Sequence, residues 1–259
     1  MRISELGTFC PREYAIGFLT DTTKEDFTNF PLQQQFDLGS ALHWWIQNKS
    51  KAFKDIIVGN WKCIACNKLI SDSNGNPYFG PKPKENCNHC GAKPTAIEYN
   101  EFYFRIDEPY RVTGKIDLVL NKDDVHRFGD IKSYANKPEG GFPNGKDVTQ
   151  IAGYAFFYNY VPEAQKFPVP IDTDYVYLHY ISKKFSYRES ILTYPIKPSK
   201  LMIDEITKRV SEFTEATKTG KIPKPFEPCV KSNFSKGKAK SCGLSETCKE
   251  WHNNGRTNI

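Results

Sequence analysis

The placement of the cysteines limits what this chain can fold into more than any other feature, because its eight cysteines divide into two groups of four. Cys63-x-x-Cys66 and Cys87-x-x-Cys90 are separated by twenty residues. Each pair has the form of a knuckle whose backbone turns about a tetrahedral ion, and four thiolates at this spacing suit zinc. The interval "SDSNGNPYFGPKPKE" is too rich in Gly, Pro, Asn and Ser to build a core. Residues 61–92 are therefore expected to form an inserted zinc ribbon, a loop closed by a structural metal with no open coordination position. Two unrelated CxxC pairs are the alternative, and Gly91 directly after the second knuckle speaks against it.

The second quartet has a different layout. Cys10 stands alone near the N-terminus, whereas Cys229, Cys242 and Cys248 fall within twenty residues of one another near the C-terminus. One distant thiolate plus three clustered ones suits a cysteine-ligated [4Fe–4S] cluster that staples the chain ends together. A second zinc site and free buried thiols are the alternatives. Residues 221–259 contain Pro223, Pro225, Pro228 and many lysines, and need such a centre in order to pack.

With 259 residues the chain is long enough for one large domain with an appendage. Lys and Arg number 36 and Asp and Glu 30, so the net charge is +6, which permits a polyanionic partner without demanding one. No run of about 18 apolar residues appears, and "MRISELGTFCPREY" lacks the apolar stretch of a secretory signal. The expectation is an intracellular chain with no membrane partner, in a compartment where disulfides are rare.

Periodicity predicts a short helix, a turn at Pro11 and a second helix in "RISELGTFCPREYAIGFL". "FDLGSALHWWIQNKSKAF" reads as an amphipathic helix with Leu38, Leu42, Trp45 and Ile46 on one stripe. "IEYNEFYFRI", "YRVTGKIDLVL" and "VHRFGDIKSY" read as successive strands. A helix over "KDVTQIAGYAFFYNYV" follows, then two strands, "DTDYVYLHYIS" and "FSYRESILTYPI", joined by a tight "KKF" connection. "SKLMIDEITKRVSEFTEATKTG" predicts an amphipathic helix ending at Gly220.

Within those strands, Asp117, Asp130 and Lys132 occupy positions where a sheet would ordinarily place valine or leucine. Residues i and i+2 of a strand share a face, so Asp130 and Lys132 project together. If the two strands pair as a hairpin through the "NKDD" turn, Asp117 joins them. Two carboxylates beside an ammonium suit a hard divalent cation that bridges substrate phosphates, with the lysine orienting water or balancing developing charge. A surface salt bridge on an edge strand is the plainer alternative.

The order of "GKID" (Gly114 to Asp117), "GDIK" (Asp130, Ile131, Lys132) and Gln150-x-x-x-Tyr154 resembles the PD-(D/E)XK nucleases of the RecB-like branch, including the CRISPR-associated and phage exonucleases with an iron–sulfur staple. The resemblance runs from Cys10 to Cys248. It implies an α/β restriction-endonuclease-like core, a mixed sheet flanked by helices, over residues 1–259. It further implies Mg²⁺ or Mn²⁺ held by His43, Asp117 and Asp130, catalytic roles for Asp117, Asp130, Lys132, Gln150 and Tyr154, and a [4Fe–4S] cluster on Cys10, Cys229, Cys242 and Cys248. The ribbon is an insertion relative to the minimal fold. Read from the residues alone, Gln150 and Tyr154 share one helix face, Tyr154 suits core packing equally well, and His43 suits a core histidine.

The function so implied is a metal-dependent DNA nuclease, a single-strand or end-directed exonuclease acting in replication, recombination or degradation. Its expected partners are single-stranded DNA or duplex ends and proteins of replication or recombination. Its expected location is the cytoplasm of a bacterial or phage-infected cell. Lys137, Lys146, Lys183, Lys184, Lys236, Lys238 and Lys240 are candidate phosphate contacts. The competing functions are a non-catalytic nucleic-acid-binding or assembly subunit using the ribbon and basic tail, and a zinc-ribbon accessory factor.

Overall fold

The computed structural model describes residues 1–256 apart from 22–29, 138–139, 184–190, 226, 235–241 and 243. The "KKF" connection, the first part of "FSYRESILTYPI" and Lys184, Lys236, Lys238 and Lys240 lie wholly or largely outside the described residues.

Two strands expected to be continuous are each interrupted by an acidic residue. "IEYNEFYFRI" divides at Glu101 into β3 (Ile97–Asn100) and β4 (Phe102–Ile106), and "YRVTGKIDLVL" divides at Asp117 into β5 (Val112–Ile116) and β6 (Leu118–Lys122). The cause is a change of partner. β4 and β5 form their own two-stranded sheet, whereas β3 and β6 both pair with β1 (Ile57–Cys63). Gly114 lets the hairpin close, because a Cβ there would lie 2.4 Å from the Phe104 ring.

The main sheet runs β2 (Phe79–Gly80), β1, β6, β7 (Val125–Tyr134), β8 (Ile171–Ser182), β9 (Ile191–Ile196), with β3 also on β1. Every pairing is antiparallel except β7 with β8, so the sheet is mixed, as the sequence leads one to expect. β6 and β7 meet in the two-residue turn Asp123-Asp124, where both residues have positive φ (55° and 59°), the twist a tight hairpin requires. The parallel step is crossed by α3 (Gly145–Tyr158). Asn144 caps this helix by accepting from the Asp147 amide, and Asp147 in turn accepts from the Tyr180 hydroxyl of β8. α4 (Lys200–Thr219) is capped by Ser199 and ends at Gly220 with φ 72°, as its sequence predicts.

A 3₁₀ turn (Ile3–Thr8) and α1 (Pro11–Thr20) open the chain, with Pro11 at the first helical turn. α2 (Phe30–Asn48) follows. The stripe expected on α2 is only half buried: Leu42 and Ile46 are in the core, but Leu38 and Trp45 are 40% and 45% exposed. Periodicity identifies residues on one side of a helix and is silent on how far the sheet beneath it extends.

The principal core lies between the sheet, α3 and α4, and includes Ile3, Phe104, Phe128, Ile151, Phe157 and Val210. A second core joins Leu42, Ile46, Leu118 and Ile131 to Trp61, Cys63, Ile70 and Cys87 of the ribbon. The ribbon therefore grows out of β1 and shares its packing with the sheet. At the C-terminus, α5 (Glu227–Lys231) and α6 (Ser245–Asn253) add a small cluster in which Leu244 and Trp251 meet Ile16 of α1 and Ile222.

His179 of β8 lies opposite Ile131 and is buried, with Nδ1 sharing a hydrogen bond with Thr193 Oγ1 and, among the described residues, no partner for Nε2. Burial lowers its pKa from 6.5 to about 4. As pH falls through 6.5 the unfolded chain takes up a proton that the folded chain refuses until about pH 4, so stability is lost across that window. The expected loss is roughly 2–3 kcal/mol by pH 4.5. Urea midpoints at pH 7 and 4.5 should therefore differ less in His179→Leu than in the natural chain, and equal differences would refute the assignment.

Candidate active site

The two interrupted strands bring their acids to one point. Continuing the β4–β5 register one step past Phe102↔Ile116 sets Glu101 opposite Asp117, and continuing β6–β7 one step past Leu118↔Gly129 sets Asp117 opposite Asp130. Asp117 Oδ2 accepts from the Ile131 amide at 2.9 Å, which fixes this carboxylate to the middle of "GDIK". Lys132 Nζ lies 2.7 Å from Asp130 Oδ2, off the line of a hydrogen bond, and donates to Gln150 Oε1 at 2.9 Å. Gln150 Nε2 donates to Asp130 Oδ1 at 3.1 Å and to Tyr154 Oη at 3.3 Å. Tyr154 is a buried residue packed against Phe104, and its hydroxyl oxygen accepts from the Gln150 amide.

α2 closes the other side. His43 Nδ1 stands 3.6 Å from Asp117 Oδ2, and one turn on, Gln47 Nε2 donates to Glu101 Oε1 at 2.7 Å and to the Asp117 carbonyl at 3.0 Å. Ligand atoms of His43, Glu101 and Asp117 lie within 4.8 Å of one another and could hold a metal ion. Asp130 is outside this compact group; Lys132 lies against its Oδ2 and Gln150 donates to its Oδ1. These residues line a cleft of about 840 Å³ together with Arg2, Trp44, Tyr103 and Lys115.

Two ion pairs cross the cluster, Lys132 with Asp130 and Lys115 with Glu101. Burial pushes Asp130 up to about 7 and Asp117 up to about 6, in each case against the opposing pull of Lys132. Burial would lower Lys132, yet Asp130 and Asp117 outweigh it and hold the ammonium above its ordinary range. The two partners of this ion pair move up for different reasons: burial raises Asp130 against the pull of Lys132, whereas Asp130 and Asp117 raise Lys132 against burial. The oxygen-rich donor set of Glu101 and Asp117 beside His43 fits a hard divalent cation. Burial also lowers His43, which favours the neutral ring that offers a lone pair to a metal.

Glu101 was not legible as a site residue. Its signal is the hairpin itself: once β4 and β5 pair across "DEPYR", the residue before Phe102 faces the residue after Ile116. Two of the expected lysines that are described lie away from the cleft. Lys146 lines a separate cavity with Leu6 and Arg209, and Lys183 Nζ donates to the Gln35 carbonyl of α2 at 2.8 Å. Among the described residues the cations of the acid cleft are Arg2, Lys115 and Lys132.

In the ribbon, Cys63 Sγ lies 3.7 Å from Cys90 Sγ and Cys66 Sγ 3.8 Å from Cys87 Sγ, with all four thiols within 4.8 Å of one another. Both knuckles turn alike, with Asn67 and Gly91 after each second cysteine at φ 62° and 73°. The other quartet is looser: among the described residues no three of Cys10, Cys229, Cys242 and Cys248 approach so closely. Cys229 and Cys248 share a small cluster with Phe234, and buried Arg12 of α1 ties the ends by donating to Cys248 Sγ at 3.1 Å and to the Pro223 carbonyl at 2.8 Å.

The profile of the PD-(D/E)XK nuclease superfamily matches residues 4–249. The chain belongs to the PD-(D/E)XK nuclease superfamily. Among solved structures, this superfamily member is similar to the protein SSO0001 at 13% identity and a TM-score of 0.43, covering 96% of this chain and 85% of that one. It is similar also to an alkaline exonuclease, LHK-Exo, from Laribacter hongkongensis, alone and in complex with dAMP. Both comparisons give 11% identity and cover 84% of this chain and 88% of that one, with TM-scores of 0.45 and 0.46. Likeness at that level adds nothing to the family assignment. A search of curated proteins finds no match. Among the described residues no helix is long and apolar enough to cross a membrane.

Proposed function

We propose that this member of the superfamily is a Mg²⁺- or Mn²⁺-dependent deoxyribonuclease of the RecB-like branch, an exonuclease acting on single strands or duplex ends in replication, recombination or degradation. The observation that carries this reading is the convergence of Glu101, Asp117 and Asp130 on one point beside Lys132, with His43 close enough to share a metal ion with Glu101 and Asp117. A divalent cation there supplies Lewis-acid stabilisation of the phosphoryl oxygens during hydrolysis. His43, Asp117, Glu101 and, once Lys132 gives way, Asp130 are its proposed ligands. Lys132, held by Gln150, orients the attacking water or balances charge developing on the phosphate. Gln150 fixes both Lys132 and Asp130, and Tyr154 steadies Gln150.

On this reading one nuclease domain spans residues 1–259, with a ribbon inserted at 61–92 and a C-terminal region, 221–259, closing a centre with Cys10. Zinc in the ribbon is supported by its sulfur spacings, since tetrahedral Zn–S bonds of about 2.3 Å give edges of about 3.8 Å. A [4Fe–4S] cluster on the second quartet, rather than a second zinc, is supported by the sequence layout of one distant and three clustered cysteines and by the Arg12 cation donating to Cys248.

The test is hydrolysis of end-labelled single- and double-stranded DNA by anaerobically purified protein, with Mg²⁺, Mn²⁺ or no added divalent cation, beside a circular single strand. Cation-dependent loss of linear substrate with the circle spared is expected. No hydrolysis by a sample with both cysteine centres filled would overturn the reading in favour of a binding or assembly role.

A further inference from the structure

Two large aromatic side chains in the acid cleft stand outside the hydrophobic cores. Trp44 is 41% exposed and Tyr103 is 60% exposed, and both line the same 840 Å³ cleft as the acids. They come from different elements. Trp44 follows His43 on α2, whereas Tyr103 lies on the outward face of β4, whose neighbours Phe102 and Phe104 point into the core. Among the described residues neither ring stacks on another aromatic ring of the chain. Their near neighbours are cations: Lys49 Nζ is 5.6 Å from the Trp44 ring centroid, and Lys115 is the cross-strand partner of Tyr103. Folding does not account for exposing two such rings beside a buried cluster of charge, since exposed aromatic area forgoes burial.

Their arrangement suits one class of ligand. A nucleic-acid strand presents phosphates, which the acid floor can take only through a cation, and bases, which expose a π-face when unpaired. In a duplex those faces are stacked inside the helix and unavailable to rings on a cleft wall. Arg2 and Lys115 on the cleft lining, the latter ion-paired with Glu101, supply charge for flanking phosphates.

We propose that Trp44 and Tyr103 are stacking platforms for unpaired bases next to the scissile phosphate, so that the substrate enters as a single strand or a frayed end. This rests on, and narrows, the nuclease reading above. The platforms give affinity without reading sequence, because every base has a face to stack.

The proposal is tested by binding rather than cleavage. Fluorescence anisotropy in the Asp130→Asn background without added divalent cation would compare a labelled single strand, a blunt hairpin duplex and an abasic single strand of equal length. Trp44→Ala and Tyr103→Ala should each weaken single-strand binding by roughly 5- to 150-fold, the range for losing one stacked base, and change duplex binding by less than about twofold. Trp44→Phe and Tyr103→Phe, which keep a ring, should recover most of the loss. The abasic strand should bind the parent about as weakly as the normal strand binds the double alanine variant. Equal losses on single strand and duplex, or no loss in variants that melt like the parent, would overturn it. Failure of hydrolysis with these binding differences intact would overturn the nuclease reading and leave the platforms standing.

Discussion

Asp130→Asn is expected to lower cleavage by roughly 10³-fold or more while leaving the chain folded. The side chain is almost fully buried on β7, where Oδ1 accepts from Gln150 and Oδ2 faces Lys132. An amide of the same shape keeps the contact with Gln150 and removes the charge that both a cation and the ammonium need. Two effects on stability then oppose each other. A buried carboxylate already pushed up to about 7 is lost, and Lys132 forfeits its counter-charge. The melting temperature should therefore move by only a few degrees, and Lys132→Ala should lose activity to a similar extent. Single-turnover cleavage beside thermal melting checks both; activity within about tenfold of the natural chain would place the chemistry elsewhere.

The second large effect is structural. Cys63→Ser should abolish metal retention in the ribbon and lower stability by about 5 kcal/mol, a fall of roughly 10–20 °C for a chain of this size. Cys63 and Cys87 are buried in the second core beside Trp61 and Ile70, and the strand that carries Cys63 also pairs with β6 through Ile57 and Val58. β6 begins at Leu118, directly after Asp117. Loss of the ribbon metal is thus expected to loosen one edge of the active cleft, and activity should fall with it. Metal analysis and calorimetry decide the matter: a variant that melts within about 3 °C of the natural chain would show that the ribbon folds without its metal.

Much of this was legible along the chain. The α3 and α4 helices carry their own caps, the "NKDD" hairpin fixes its own register, and a period of two puts Asp130 and Lys132 on one face. The convergence of Asp117 with Asp130 follows from that hairpin, because it depends on residues only thirteen apart. Other features depended on distant partners. Leu38 and Trp45 share the period of Leu42 and Ile46, but only the latter pair meets the sheet. Arg2 and Lys115, which no local pattern singles out, reach the cleft beside Lys132.

What the sequence by itself determined is the set of groups that local geometry brings together: the two knuckles, the acid-and-lysine strand, and the Gln150–Tyr154 face. Tertiary structure alone decided that Glu101 completes the acidic cluster, that Gln47 of α2 holds it, and that Trp44 and Tyr103 stand exposed at its rim. The reason is that strand and helix periods order neighbours within one element, whereas the place where β4 and β5 leave the main sheet, and the helix laid over it, depend on packing between segments far apart in the chain.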